Sequence, residues 1–316
     1  MSRKGPVHVI LNPAANGGRG RRLAPRLEEG LRARGLAYAL TSTRGPGHAA
    51  ELAEEIAREG RATRLLVVGG DGTVHEVANG FLRAPDPALA VAVVPVGTGN
   101  DFYRMVGTER RLADALDVLE EGTPHRFDVG RVRFDGGESH FVNLLGLGVD
   151  VEVLRRRNGY RHLSGLPQYL AALVTALIRF RPQAVEVTLE EDGEVIRNRT
   201  ILTAVTVGPS VGGGFLLSPR ADPLDGFLDL FFAEALSMGK IARYVPRVVR
   251  GTHEGIPEIH QRRIRHAVVR RADGGSFHFE MDGEVVPRPT TRLEIEIRKA
   301  ALPVLLPRGS TEGTTR

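Results

Sequence analysis

The chain has 316 residues, 43 Lys and Arg against 38 Asp and Glu, a net charge of +5 and no cysteine. That length allows two domains with cores of their own. The lack of cysteine excludes a disulfide scaffold and any thiolate metal site.

Other classes fall away as quickly. No run reaches the roughly 18 apolar residues of a spanning helix. The longest candidate, 169–178, is too short and meets Arg179 and Arg181. The opening residues 1–6 lead only into a short apolar strand, so no signal peptide is expected. Basic residues are scattered and aromatics make up only 5%, so no nucleic-acid partner is expected. The densest basic run, 155–162, reads as a solvated loop. Ten histidines show no metal-ligand spacing, which argues against zinc.

In chain order, an apolar run at 7–11 predicts a strand. Leu23, Leu27 and Leu31 predict a helix over 21–34. Strands follow at 38–42, 65–68 and 91–94, and helices at 48–59, 74–82 and 112–120. Such alternation predicts a parallel α/β sheet. After His125 come short strands at 127–132, 140–144, 185–190, 200–207, 227–232, 267–271, 277–281 and 293–298, parted by turns. They predict an antiparallel β-sandwich domain. Helices at 166–180 and 240–250 interrupt it. The expected domains are 1–125 and 126–302, with 303–308 offered back to the first as an edge segment. Residues from Arg308 onward are expected to fray.

The chemistry gathers at strand ends. The apolar run 65–68 leads into Gly69, Gly70, Asp71, Gly72 and Thr73, with a helical pattern beyond. Glycines let backbone N–H groups approach a bulky anion, and a helix N-terminus adds partial positive charge there. Asp71 would repel phosphate unless a divalent cation lay between them. A second strand ends in Gly97, Thr98, Gly99, Asn100 and Asp101, and the first in Asn12, Asn16, Gly17 and Gly18. Ligands of open α/β sheets bind at such strand ends. Neither a Walker A loop nor a dinucleotide fingerprint is present.

On these residues the chain resembles the diacylglycerol kinase catalytic-domain family, the bacterial lipid kinases related to sphingosine and ceramide kinases. The matching positions are Asn12-Pro13 with Gly17-Gly18; Thr43 with Gly47-His48-Ala49; Gly69 to Thr73 with Glu76 and Asn79; and Pro95 to Phe102. They continue through Phe127 to Gly130; Phe141 to Asn143 with Gly146 and Gly148; Gly212 to Gly214 with Pro219, Ala221 and Asp225-Gly226; and Asp282-Gly283-Glu284. Val96 stands where the family usually has Leu, and Gly208-Pro209 where it often has Asn-Gly. The Gly-Gly-Asp-Gly-Thr segment alone also occurs in NAD kinases; the later blocks separate the two.

The resemblance implies an α/β nucleotide domain, a β-sandwich domain and an active site in the cleft between them. It implies an ATP- and Mg²⁺-dependent kinase of a lipid hydroxyl, diacylglycerol first. Phosphatidylglycerol or a sphingoid base, then NAD, then non-catalytic nucleotide or lipid binding are the alternatives. Asn12, Asn16, Thr43, Gly69, Gly70, Gly72, Thr73, Thr98 and Asp101 are the implied nucleotide contacts. Asp71 and Asp101 are the candidates to hold Mg²⁺. Glu284 is the implied proton acceptor, with Asp282 able to share or hold that role. Asp222, Asp225 and Phe227 occupy a structural Mg²⁺ position of some members. An acyl pocket is expected near Leu144, Leu145, Leu147, Leu166 and Tyr169. The expected setting is cytoplasmic, peripheral on an anionic membrane surface, with the oligomeric state open and a homodimer compatible.

Overall fold

The structure is a computed structural model that describes residues 5–86, 88–160, 163, 166–191 and 193–310. Expectations on 1–4, on Arg161 and His162, on the tail from 311 and on the Leu166 side chain lie outside the described residues. The chain divides into two compact units, Met1–Phe127 with Lys299–Arg316, and Asp128–Arg298.

The first unit alternates β1 (Val7–Leu11), α1 (Ala15–Ala33), β2 (Tyr38–Ser42), α2 (His48–Glu59), β3 (Arg64–Gly69), α3 (Asp71–Arg83) and β4 (Ala90–Pro95). Short α4 (Asp101–Arg104) and α5 (Leu112–Glu121) follow. β1, β3 and β4 are apolar and buried nearly throughout, as central parallel strands must be. β1 runs parallel between β2 and β3, and β3 runs parallel to β4. The helices α2 and α3 approach closely because Gly80 carries no side chain: a Cβ there would lie 2.0 Å from the Ala50 carbonyl oxygen.

β5 (Thr123–Phe134) leads into the second unit, where β6 (Gly137–Phe141), β7 (Leu144–Gly148), α6 (Val149–Arg157) and a 3-10 turn (Asn158–Tyr160) follow. Next come α7 (Leu166–Arg179), β8 (Gln183–Leu189), β9 (Val195–Thr206), β10 (Leu228–Glu234) and α8 (Met238–Val249). β11 (Ile259–Ile264), β12 (His266–Arg271), β13 (Phe279–Met281), β14 (Glu284–Val285) and β15 (Arg292–Leu306) complete the chain. Antiparallel pairing runs β14–β13–β7–β9–β8–β12–β15, with β10 between β9 and β11 and β6 on β5. One core, including Leu145, Leu147, Val187, Val205, Phe232 and Phe279, fills the sandwich. A second, including Val153, Leu173, Ala176, Phe231 and Ile241, lies under α6, α7 and α8. The second half of β15, from Lys299, belongs to the first unit, where Val304 pairs parallel with Val91 of β4.

Four expectations need correction. Residues 140–144 are not one strand; β6 ends at Phe141 and β7 starts at Leu144, because the Val142 and Asn143 amides turn aside to a carboxylate. The basic run does not begin as a loop. Arg155, Arg156 and Arg157 close α6, where Glu152 pairs with the first two. Gly148, at φ +110°, ends the strand before that helix. Strand β11 was not expected, its Gln261-Arg262-Arg263 being too polar for the pattern. Asp71, Gly72 and Thr73 are not loop but the first turn of α3.

Candidate active site

Two sets of the expected residues come together, one in each unit. In the first unit, Asn12 follows β1 and bends the chain by accepting from the Ala14 amide at 3.0 Å. Its Nδ2 donates to Thr73 Oγ1 at 3.0 Å, tying the first loop to α3. Asn16, Gly17 and Gly18 all take left-handed backbone, with open space where Cβ atoms of the two glycines would stand. Thr43 lies just past β2 and donates its amide to the Leu11 carbonyl at 2.8 Å.

The glycines are steric requirements. A Cβ on Gly69 would come 2.5 Å from Thr73 Cβ, and one on Gly70 2.9 Å from the Gly97 Cα. The two loops therefore touch backbone to backbone. Asp71 adds a bond across them, accepting from the Phe102 amide at 3.1 Å. Asp101 is 6% exposed and lies 3.4 Å from Arg104 Nε. Thr98 is exposed.

Three more residues shape this set; Glu76 and Asn100 stand in the family pattern, and Arg110 carries no sequence signal. Glu76 accepts from the Gly47 and Ala49 amides at 2.8 and 3.1 Å, so it caps α2 from α3. Asn100 sits in left-handed backbone at φ 52°, donates to the Gly97 carbonyl at 2.7 Å and buries an Oδ1 that has no donor. Arg110 lies near the acidic pair. Burial and then Arg104 lower its pKa, while Asp101 and Asp71 oppose them.

A nucleotide with a divalent cation fits this set. Hard carboxylate oxygens on Asp71 and Asp101 suit Mg²⁺. The N-terminus of α3 suits phosphate, and the donorless Asn100 oxygen suits the cation beside it.

In the second unit, Asp282 and Glu284 have opposite surroundings. Asp282 is 5% exposed, at φ 49°. Its Oδ1 accepts from the Asn143 and Leu144 amides at 2.8 and 3.0 Å, and its Oδ2 from the Val142 amide at 3.0 Å. Asp282 thus clamps the β6–β7 connection. Glu284 is exposed at the start of β14.

In the Asp222–Phe227 turn both carboxylates already have protein partners. Asp225 is ion-paired with Arg263 and accepts from the Phe227 amide at 3.0 Å. The guanidinium carbons of Arg263 and Arg265 lie 4.1 and 4.3 Å from the Phe227 ring centroid. Asp222 accepts from the Leu224 amide at 3.0 Å, and Asp128 holds the turn through the Gly226 amide at 2.7 Å. Among the described residues no three acidic or histidine side chains converge on a metal position.

An apolar cavity of about 100 Å³ opens in the second unit. Tyr169, Leu173 and Leu177 of α7, Ile241 and Val245 of α8, and Ile201 and Phe231 from the sheet line it. Of the expected pocket residues Tyr169 lines it. Leu145 and Leu147 lie in the sandwich core and Leu144 in the core under the helices, because successive strand residues face opposite sides.

Comparison with known proteins now identifies the class. The profile "Diacylglycerol kinase catalytic domain" matches residues 6–132, and the profile "YegS C-terminal NAD kinase beta sandwich-like domain" matches 143–306. The diacylglycerol kinase of Mycobacterium tuberculosis is 31% identical over 247 residues, 77% of either chain. A Bacillus anthracis crystal structure covers 98% of both chains at TM-score 0.81 and 23% identity. Another, of a diacylglycerol kinase from Bacillus anthracis, gives 0.70 at 20% identity, covering 98% of this chain and 100% of that one. The fold is therefore the α/β plus β-sandwich architecture of these kinases. The chain belongs to the diacylglycerol kinase family and is a lipid kinase.

Proposed function

We propose that this lipid kinase transfers the γ-phosphate of ATP to the free hydroxyl of diacylglycerol, giving phosphatidic acid and ADP. The observation that carries the reading is the Asp71 carboxylate at the N-terminus of α3, where Gly70 holds the Gly97 loop against it. Relatives named diacylglycerol kinase support the choice of substrate.

Asn12, Thr73 and the α3 N-terminus bind the phosphates, and Thr43 lies toward the base. Asp71 and Asp101 would hold Mg²⁺, which neutralises charge on the transferring phosphoryl group. Glu284 orients the acceptor hydroxyl and takes its proton. The lipid oxygen bonds to phosphorus, the bond from phosphorus to the bridging oxygen breaks, and its electron pair leaves with ADP. A carboxylate serves because the proton moves late in a loose transition state. The acyl chains enter at the apolar cavity between α7, α8 and the sheet.

The same reading places the enzyme peripherally on the anionic cytoplasmic leaflet. Arg243 and Arg247 of α8 and Arg250 at its C-cap recur along one exposed stripe, on which Lys240 is paired with Glu258. Val174 and Ile178 of α7 are 56% and 65% exposed. Basic residues with exposed aliphatics suit an anionic bilayer. No helix among the described residues is long and apolar enough to cross one. The test is to incubate the protein with labelled ATP, Mg²⁺ and vesicles carrying diacylglycerol, phosphatidylglycerol or a sphingoid base. Labelled phosphatidic acid is expected; label only in another product overturns the substrate.

A further inference from the structure

Glu280 is a carboxylate that the phosphoryl-transfer reading does not use, and its side chain is wholly buried. One oxygen, Oε2, accepts from the Gly283 amide at 2.8 Å. The other, Oε1, is buried and has no donor. Asp150 of α6 faces it. A Cβ on Gly146 would lie 2.6 Å from Asp150 Oδ2 and 2.8 Å from Glu280 Oε1, so both oxygens stand over that glycine. Asp150 is itself 4% exposed and accepts from the Tyr169 hydroxyl at 2.6 Å.

Two carboxylate oxygens do not stand together in a dry interior while both are ionised. A single proton between them supplies the donor that Oε1 lacks and removes one of the two charges. Burial, then Asp150, raises the Glu280 pKa well above the ordinary carboxylate value, and the Gly283 amide opposes them. The groups around the pair are Asp150 on α6, Tyr169 on α7, Asp282 and Glu284 in and after the turn, and Arg157. The Arg157 Nη1 lies 3.8 Å from where a Gly283 Cβ would be.

We propose that Glu280 is a positioning residue of this kinase: with Asp150 it holds one shared proton and, through the Gly283 amide, fixes the turn that presents Glu284. Tyr169 lines the apolar cavity, so one hydrogen-bonded chain runs from the cavity wall through Asp150 and Glu280 to that turn. The inference rests on the assignment of Glu284 as proton acceptor.

Glu280→Gln reproduces the singly protonated pair at every pH. Its amide nitrogen donates to Asp150 and its oxygen still accepts from Gly283. Glu280→Leu keeps much of the volume and loses both bonds. The experiment measures turnover against pH with ATP and diacylglycerol vesicles, and thermal unfolding against pH, for the wild type and both variants. Wild-type turnover and stability should fall as pH rises toward the raised value, where the folded protein keeps a proton the unfolded chain has lost. The folding constant then drops by up to about tenfold per pH unit. Glu280→Gln should keep turnover within about threefold and flatten both falls. Glu280→Leu should lower kcat about 10- to 100-fold with the KM for ATP unchanged.

Superimposable pH profiles and unfolding curves for the wild type and Glu280→Gln would overturn the shared proton. Full kcat in a folded Glu280→Leu would overturn the positioning role. If that variant fails to fold, the Glu280→Gln comparison still decides. A wild type inactive on every lipid would sink the functional reading instead, and the unfolding curves would test the proton without it.

Discussion

Gly97 stands against Gly70 with no room for a side chain: a Cβ on Gly97 would come 2.6 Å from the Gly70 Cα and 2.8 Å from Asn100 Oδ1. Neither glycine has the left-handed backbone that favours glycine by itself. Their need for glycine is closeness alone. Gly97→Ala should therefore push the two strand-end loops apart and cost about 1–3 kcal/mol, as overpacking does. Thermal unfolding with and without ATP and Mg²⁺ checks this. The variant should lose the stabilisation that nucleotide gives the wild type, and a full nucleotide-dependent shift would refute the role of this contact.

Glu76 links two helices by electrostatics and not by packing. Its carboxylate satisfies two amides at the start of α2, where a negative charge is favoured. Glu76→Ala should lower stability by about 1–2 kcal/mol, the scale of a lost N-terminal cap. Glu76→Gln should lose less, because one amide keeps an acceptor. Denaturant titrations of the three proteins measure both, and equal midpoints would remove the cap from the account.

The parallel sheet of the first unit was legible because buried strands such as Leu65–Val68 leave uninterrupted apolar runs, and each ends in glycines. The strand-end loops were legible for the same reason. Less visible was anything that depends on long-range partners. Glu76 stands in the family pattern, but its capping of α2 shows only once the α2 amides are seen. α6 hid behind Val149, Val151 and Val153, whose alternation imitates a strand. Glu280 lies more than 100 residues from Asp150 and Tyr169, so only the fold reveals that the three meet. The Asp-Gly-Glu segment was visible, but the different surroundings of its two acids were not.

Asp71 combines a brace with a charge. Asp71→Asn keeps an oxygen for the Phe102 amide and removes the charge that would hold Mg²⁺. It should unfold like the wild type and lose kinase activity by at least about 100-fold, a few kcal/mol of lost charge stabilisation. Asp71→Ala should lose activity as fully and some stability besides. Full activity in a folded Asp71→Asn protein would refute the metal assignment.

The basic stripe of α8 predicts salt-sensitive membrane binding. Each basic side chain near an anionic surface contributes about 1 kcal/mol, screened over a Debye length of about 8–10 Å. Arg243→Glu with Arg250→Glu should weaken binding to anionic vesicles more than tenfold at low salt and leave turnover on detergent-dispersed lipid unchanged. Flotation at low and high salt reads this. Equal recovery of wild type and double variant on anionic vesicles would take α8 out of the interface.

Glu284 and Asp282 make the sharpest test of the chemistry. Asp282 spends its oxygens on three backbone amides, so a proton taken there would weaken the clamp on Val142, Asn143 and Leu144. Glu284 is exposed on the neighbouring strand. Glu284→Gln should lower kcat about 10²- to 10⁴-fold, the usual cost of losing a general base. Nucleotide affinity and unfolding should stay put, because the glycine-rich strand-end loops are in the other unit and the amide keeps the side chain's size. Asp282→Asn should instead lower stability by about 1–3 kcal/mol. Its NH₂ group cannot accept, so at least one buried amide loses its partner. Activity should fall in proportion to the loosened turn. Turnover, ATP affinity and denaturant midpoints for both variants separate the roles. A stable Asp282→Asn protein with no turnover, beside an active Glu284→Gln protein, would move the base to Asp282. Two stable, fully active variants would reduce the segment to a hairpin and leave the acceptor side of the reaction without a base.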